Sequence, residues 1–207
     1  EKPPLLAVHP SQVATVQIRS GSEPSIELKN TQPGWAIAQP VQIPARPSRL
    51  QAVWDLAKAE SQGTIPAKQG QGEQKAKSKD YGLKDPHRVV RIDDKTIRVG
   101  SRHPFKRQRY VQVGDTIHRV KAGAVRAVKE DWTGYASRSL IPEDRTLARI
   151  ELPEVTLKRQ SADHWTASTD KITGPRATRT ARAWQSQKAV SVAKAPTEPK
   201  GKAKGQV

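Results

Sequence analysis

Two stretches of this chain, 130 residues apart, lie over one another without a gap. Residues 35–61 match 165–191 at seven of 27 positions: Trp35/Trp165, Arg46/Arg176, Arg49/Arg179, Trp54/Trp184, Lys58/Lys188, Ala59/Ala189 and Ser61/Ser191. The segments before them echo as well, SIELKNTQPGW against VTLKRQSADHW with one extra residue, and VATVQI against LARIEL. Self-similarity at a fixed offset is the mark of one supersecondary unit used twice. It also takes the basic stretch His164–Val192 out of the class of simple polyanion-binding arms.

The first copy shows what the unit is. Period-2 alternation runs through Val13–Arg19, Ser25–Lys29 and Trp35–Ala38, with the turn sequences SGSEPS and NTQPG between them, which predicts a three-stranded antiparallel meander. The period then changes. Leu50, Val53, Trp54 and Ala57 fall at i, i+3, i+4 and i+7, one face of a helix with Ser48 as its N-cap. Between the copies, HRVVRIDDKTIRVG reads as a hairpin turning at Asp93–Lys95 and RYVQVGDTIHRV as a second turning at Gly114–Asp115. KAGAVRAVKEDW then gives a short helix with Ala124, Val125 and Val128 on one side. Hairpin-linked strands followed by helices define an α+β fold: meander units each followed by a helix, repeated at about 12–61 and 145–191, flanking a hairpin–hairpin–helix segment.

The expected organisation is an extended lead-in (1–11), a first meander–helix unit (12–61), a flexible loop almost without apolar residues (62–80), the middle hairpins and helix (81–132), a second unit (133–192) and a disordered basic tail (193–207). The second copy is eroded. Leu50, Val53, Leu56 and Ala57 become Thr180, Ala183, Ser186 and Gln187, which leaves Trp184 almost alone on its face. A helix so thin in apolar support needs another surface, so Trp184 with Arg176, Arg179 and Arg182 is a candidate partner-docking element.

Only 34% of the 207 residues are hydrophobic and 4% aromatic, with a single Phe, so the core is thin and Trp35, Trp54 and Trp165 are expected as its anchors. The absence of Cys excludes disulfides, thiolate metal sites and a Cys nucleophile. The five His are scattered, without metal-ligand spacing. Asp93 and Asp94 sit where a hairpin must turn, a position Asp favours for local hydrogen bonding. KQGQGEQK lacks the strand and helix that a phosphate-cradling loop requires, and no Ser has a nucleophile-elbow setting. The expectation is a non-enzyme with no cofactor and no metal.

The net charge of +17 is spread over the rear two-thirds: residues 1–65 carry 6 basic and 5 acidic groups, 66–109 carry 13 and 5, and 110–207 carry 18 and 10. Such a balance suits polyanions, whether nucleic acid, anionic lipid or an acidic polymer. SRHPFKRQRY is the best candidate surface. It sets Arg102, His103, Lys106, Arg107 and Arg109 around Phe105 and Tyr110, a mixture that can stack on bases, hold lipid headgroups, or simply be a solvated hairpin edge. No run of 18 apolar residues is present. The chain starts at Glu1 and contains no Met, and its lead-in EKPPLLAVHPSQ reads like a segment that follows a signal or anchor.

The first unit, the box Tyr81-Gly82-Leu83-Lys84-Asp85-Pro86, the strands TIRVGSRHPFKRQRYVQVGDTIHRV and the second unit LARIELPEVTLKRQSADHWTAS together resemble the domain-of-unknown-function family 4340 over roughly residues 12–168. The order is similar: a strand pair ending in Gly-Trp, a helix, a Tyr-Gly-Leu-x-x-Pro box, a Gly-containing strand pair, then the first unit again. In the box Gly82 can take positive φ, Leu83 can plug the core, and Pro86 sets an extended approach to the next strand. The resemblance implies a bacterial envelope protein with an N-terminal anchor and a soluble part on the periplasmic side; some members are similar to auxiliary subunits of gliding-motility-type ABC transporters. The chain departs from the family at Arg46, where an acidic residue is common, and in its basic loop and tail. The function expected is that of a scaffold or accessory subunit binding an envelope or membrane protein, with an anionic lipid or polymer as a further partner; the alternative is a nucleic-acid-binding module using the basic loop and tail.

Overall fold

The structure, a computed structural model, describes residues 3–32, 34–66, 78–142 and 145–194. The chain divides into two compact units, Glu1–Ser137 and Arg138–Val207, and the fold is α+β in both.

In the first unit the meander forms as expected: β1 (Thr15–Ser20), β2 (Ile26–Asn30) and β3 (Trp35–Gln39), followed by the short β4 (Ile43–Pro44) and helix α1 (Pro47–Ala57). The two hairpins are β6 (Arg88–Ile92) with β7 (Lys95–Arg102), and β8 (Gln108–Val113) with β9 (Thr116–Lys121); α2 (Ala122–Ala127) follows. Asp93 turns the first hairpin at φ 49, and its carboxylate accepts the Thr15 backbone N–H at 2.8 Å. That carboxylate works as a strand-end cap. Because β1 also pairs with β6, meander and hairpins join in one antiparallel sheet of order β4-β3-β2-β1-β6-β7-β8-β9-β5, in which β5 is the short edge strand Thr64–Pro66.

Register shows where the core lies, since directly paired residues share a face. Val16 and Ile18 stand opposite Ile92 and Val90, Val90 opposite Ile97, and Val99 opposite Val111. Those residues are all buried, as are Leu50, Val53, Trp54, Leu56 and Ala57 of α1. The Trp54 ring lies 5.8 Å from that of Trp35. Helix α1 touches α2, and α2 also touches β8 and β9.

Two expectations are corrected here. The helix starts before Ser48: Pro47 occupies its first turn, and Arg46, in extended conformation, is the N-cap. Proline suits that position because its missing N–H has no intrahelical partner anyway, and the Arg46 N–H is satisfied by the Tyr135 carbonyl at 2.7 Å. The segment read as a loop over 62–80 is partly ordered. Thr64–Pro66 form the edge strand β5 on β9, and Ser78–Tyr81 form a 3-10 turn; residues 67–77 of that loop lie outside the described residues. Edge pairing needs only backbone groups, and composition does not report it.

The second unit contains β10 (Arg149–Leu152), β11 (Val155–Arg159), β12 (Trp165–Ala167) and α3 (Gly174–Ser186), with the sheet order β10-β11-β12. Its core is small: Leu147, Ile150, Leu157, Trp165, Ala177 and Ala181. After the helix the chain returns, and Ala189 N–H donates to the Arg138 carbonyl at 2.7 Å. Of the expected disordered tail, 195–207 lie outside the described residues.

The repeat holds in the strands and slips in the helix. Trp35 opens β3 opposite Asn30, and Trp165 opens β12 opposite Arg159, the same place in each meander. The helical faces, however, do not keep the offset of 130. Counted from the helix start, α1 buries its fourth, eighth and eleventh residues, Leu50, Trp54 and Ala57; at the same places α3 has Ala177, Ala181 and the half-buried Trp184. The offset there is 127, and Trp184 takes the place of Ala57. The expectation that Trp54 and Trp184 are equivalent is therefore corrected. Counted from the Trp that opens the third strand to the helix start, the second copy is three residues shorter, and no counterpart of β4 occurs there among the described residues.

The exposed, unsupported Trp184 is corrected as well: it packs half-buried against the second core. Trp54→Ala should cost about 3–5 kcal/mol, because a nearly full ring volume is vacated at a site 6% exposed. Trp184→Ala should cost only about 1–2 kcal/mol, as expected for a side chain that loses part of its burial. Denaturant melts of the two variants measure the difference.

Candidate functional site

The buried face of the large sheet does not end in solvent; it ends in cations. Along β6, Ile92 and Val90 give way to Arg88; along β8, Val111 gives way to Arg109. On β7 the register shifts between Val99 and Arg102, which brings Arg102 opposite Arg109. Without that β-bulge, alternation would have sent Arg102 to the other side of the sheet. Like charges directly opposite in a ladder are destabilising, so the fold holds this pair together at a cost. Burial, then the charges of Arg102 and Arg88, lower the pKa of Arg109, while Glu130 acts in the opposite sense.

Beyond these residues the β7–β8 hairpin, α2 and the segment after α2 enclose a cleft of about 1030 Å³. The hairpin supplies Arg102, His103, Lys106, Arg107 and Arg109, β6 supplies Arg88, and the far wall supplies Arg126 and Lys129. Two carboxylates line it, Glu130 and Asp131, and both are engaged: Glu130 with Arg88 and His87, and Asp131 with the Thr133 backbone N–H and hydroxyl. Among the described residues no carboxylate pairs with Arg102, Lys106, Arg107, Arg109, Arg126 or Lys129.

Arg88, 4% exposed, assembles the floor. Its guanidinium donates to the Val125 carbonyl at 2.7 Å, the Val128 carbonyl at 2.8 Å and the Ser20 hydroxyl at 3.2 Å, and it closes on the Glu130 carboxylate. It thereby satisfies carbonyls at the C-terminal end of α2, where a helix has none of its own donors left. Burial pushes the Glu130 carboxyl up, but the Arg88 hydrogen bond and charge, aided by His87, outweigh that and hold it below the ordinary glutamate value. Tyr135 pins the same segment from below. Its hydroxyl accepts from the Lys129 N–H at 2.9 Å and donates to the Lys129 carbonyl at 3.2 Å, and burial pushes its pKa up to about 12.

Of the residues singled out in SRHPFKRQRY, the structure gathers five in the cleft; Phe105 and Tyr110 do not line it. Tyr110 instead stacks on His103 at 5.6 Å and meets Tyr81 edge-on at 4.6 Å. The neighbouring box packs on the bulge: Gly82 has φ +67, Leu83 is fully buried, and a Cβ on Gly100 would collide with the Tyr81 carbonyl. Pro86 precedes β6 without belonging to a strand or helix. In the second unit Arg176, Arg179 and Arg182 are exposed on α3, and Arg182 is bridged to Asp163 at 2.7 Å, a surface pair worth little. Trp184 does not join them in an exposed patch.

Sequence reasoning missed Arg88, Arg126 and Lys129. Arg88 alone left a trace, as a cation in the inward position of an otherwise apolar alternation. It also missed a Ser61–His118 contact at 3.1 Å. The Ser61 hydroxyl also lies 3.1 Å from the Gly63 carbonyl. Burial lowers the His118 pKa. Both groups tie β9 to the segment leading into β5. No group of three or more His, Cys, Asp or Glu suited to a metal occurs among the described residues, and none of their helices is long and apolar enough to cross a membrane.

A two-unit meander–helix protein with these features is recognised by one family model, Domain of unknown function (DUF4340), over residues 35–200; the chain belongs to this family. The match begins at Trp35 and runs through α3. No curated protein and no solved structure matches the chain.

Two outcomes follow from the Arg88 cluster. Arg88→Met should destabilise by about 2–4 kcal/mol, because buried carbonyls lose their donor, whereas Arg126→Met on the rim should stay within about 0.5 kcal/mol; thermal melts compare them. Glu130, held lower in the folded than in the unfolded chain, adds stability above its unfolded pKa, and this is lost as pH falls through the folded value. Denaturant melts taken from neutral pH to below about pH 4 should show that loss in the parent and a flatter acid limb in Glu130→Gln.

Proposed function

We propose that the chain is a non-enzymatic accessory subunit or scaffold of the bacterial cell envelope, held on the periplasmic side by an N-terminal anchor, that binds an acidic segment of an envelope or membrane protein. The observation that carries this reading is the cleft, in which six cationic side chains besides the engaged Arg88 have no carboxylate partner among the described residues, while the two carboxylates that line it are already engaged within the fold. Fixed cations that the protein does not neutralise attract an acidic partner, raise its association rate and reject basic ones. A transport complex is the partner class to which the family resemblance points. The carboxylates of the cleft are committed to Arg88, His87 and Thr133, which favours binding over acid–base chemistry on a bound molecule. The nucleic-acid reading draws on the same cations and would replace this one if binding proved to follow phosphate density.

Gly123 lines the cleft, and a side chain placed there meets nothing within 4 Å. A photo-cross-linking residue at that position, activated in cells, should attach to an envelope protein. The adduct should disappear when Arg126→Glu and Lys129→Glu are combined. An adduct that survives the charge reversal, or one formed with nucleic acid, overturns the proposal.

A further inference from the structure

Phe105 is the only Phe of the chain and is 91% exposed at the tip of the β7–β8 hairpin. The loop that carries it is pinned. The His103 N–H donates to the Gln108 carbonyl at 2.9 Å, Gln108 N–H to the Lys106 carbonyl at 2.7 Å, and Phe105 N–H to His103 Nδ1 at 3.2 Å. His103 is in turn clamped on Tyr110. The ring is therefore presented outward by a fixed loop, and it does not line the cleft.

A single exposed apolar residue needs no explanation by itself. Here it sits on the same hairpin tip as Arg102, Lys106 and Arg107, which also line the cleft and none of which pairs with a carboxylate among the described residues. An apolar apex beside cations matches one kind of surface, in which negative charge lies at the boundary and hydrocarbon lies immediately beneath it. A nucleic-acid strand would ask for more than one open aromatic face on which successive bases stack, yet beside Phe105 the His103 and Tyr110 rings cover one another. An acidic peptide in the cleft would leave Phe105 untouched. We propose that the β7–β8 hairpin tip is a membrane-contact element: Phe105 enters the headgroup–acyl boundary of an anionic bilayer while Arg102, Lys106 and Arg107 bind lipid phosphates. This extends the envelope reading to the same face of the first unit, and its test does not depend on the partner in the cleft.

The chain has no Cys, so Phe105→Cys gives one unique site for an environment-sensitive fluorophore. The labelled full chain is titrated with vesicles of phosphatidylcholine containing about one-quarter phosphatidylglycerol, and with pure phosphatidylcholine. A blue shift with the anionic vesicles alone is expected, quenched by nitroxide lipids labelled near the headgroup and reversed by high salt. In co-sedimentation of unlabelled protein, Phe105→Ser should lower the partition coefficient about tenfold or more. Each of Arg102→Gln, Lys106→Gln and Arg107→Gln should lower it about fivefold, with melting temperatures no lower than the parent's showing that the variants fold. The idea is overturned by equal shifts on neutral and anionic vesicles, by absence of a shift, or by a shift elicited instead by polyglutamate or an oligonucleotide. Loss of the Gly123 adduct would strike the partner reading alone, and loss of the lipid response this one alone.

Discussion

A single buried guanidinium connects the parts of the first unit on which the cleft depends. Arg88 stands on β6 at an inward position where its neighbours along the strand are Val90 and Ile92, and it spans to Ser20 on β1, to two carbonyls at the end of α2 and to Glu130. A helix of six residues has little stability of its own. What holds α2 is contact with α1, β8 and β9 together with these charged hydrogen bonds, which are stronger than neutral ones. The far wall of the cleft, with Arg126 and Lys129, inherits its position from that bond set and from the Tyr135 hydroxyl beneath it. A buried Arg at this place is therefore structural, while the exposed Arg residues around it are available for binding.

The two copies of the meander–helix unit reach a core by different means. In the first, α1 inserts Trp54 against Trp35 and adds Leu50, Val53 and Leu56. In the second, Trp165 is deeply buried with Ile150 and Leu157, and α3 comes in on the small faces of Ala177 and Ala181. Alanine at the contact lets a helix lie close to a sheet, and it is the strongest helix former, so α3 persists with Trp184 as its one large apolar residue. Erosion of the sequence is better described as exchange of a bulky contact for a close one.

Much of the fold was legible from alternation and turn chemistry, which act locally. The meander, both hairpins and all three helices follow from period and from residues such as Asp93 and Gly114. The slip of α3 was not legible, because seven identities favoured an ungapped alignment and only the buried face reports the missing three residues. Strand β5 was not legible because it is added by backbone pairing alone. Four of the cleft's cations, with His103, were named from one hairpin, but Arg88 on β6, Arg126 on α2 and Lys129 after it lie far away in sequence and arrive only through the pairing of β6 with β7 and the packing of α2.

The bulge at Gly100 and Ser101 is a counting device. Alternation assigns every residue of a strand to one side or the other, and one extra residue reverses the assignment for all that follow. Gly100 is also the position where the Tyr81–Leu83 segment comes too close for any side chain. The same glycine thus admits the box that closes the sheet and sets which side Arg102 serves. The same sequence in a regular, unbulged ladder would keep every cation of the cleft, yet would carry Arg102 on the far side of the sheet. In this protein the basic face is specified by parity as much as by composition, so a count of charges in related chains would not show whether they possess it.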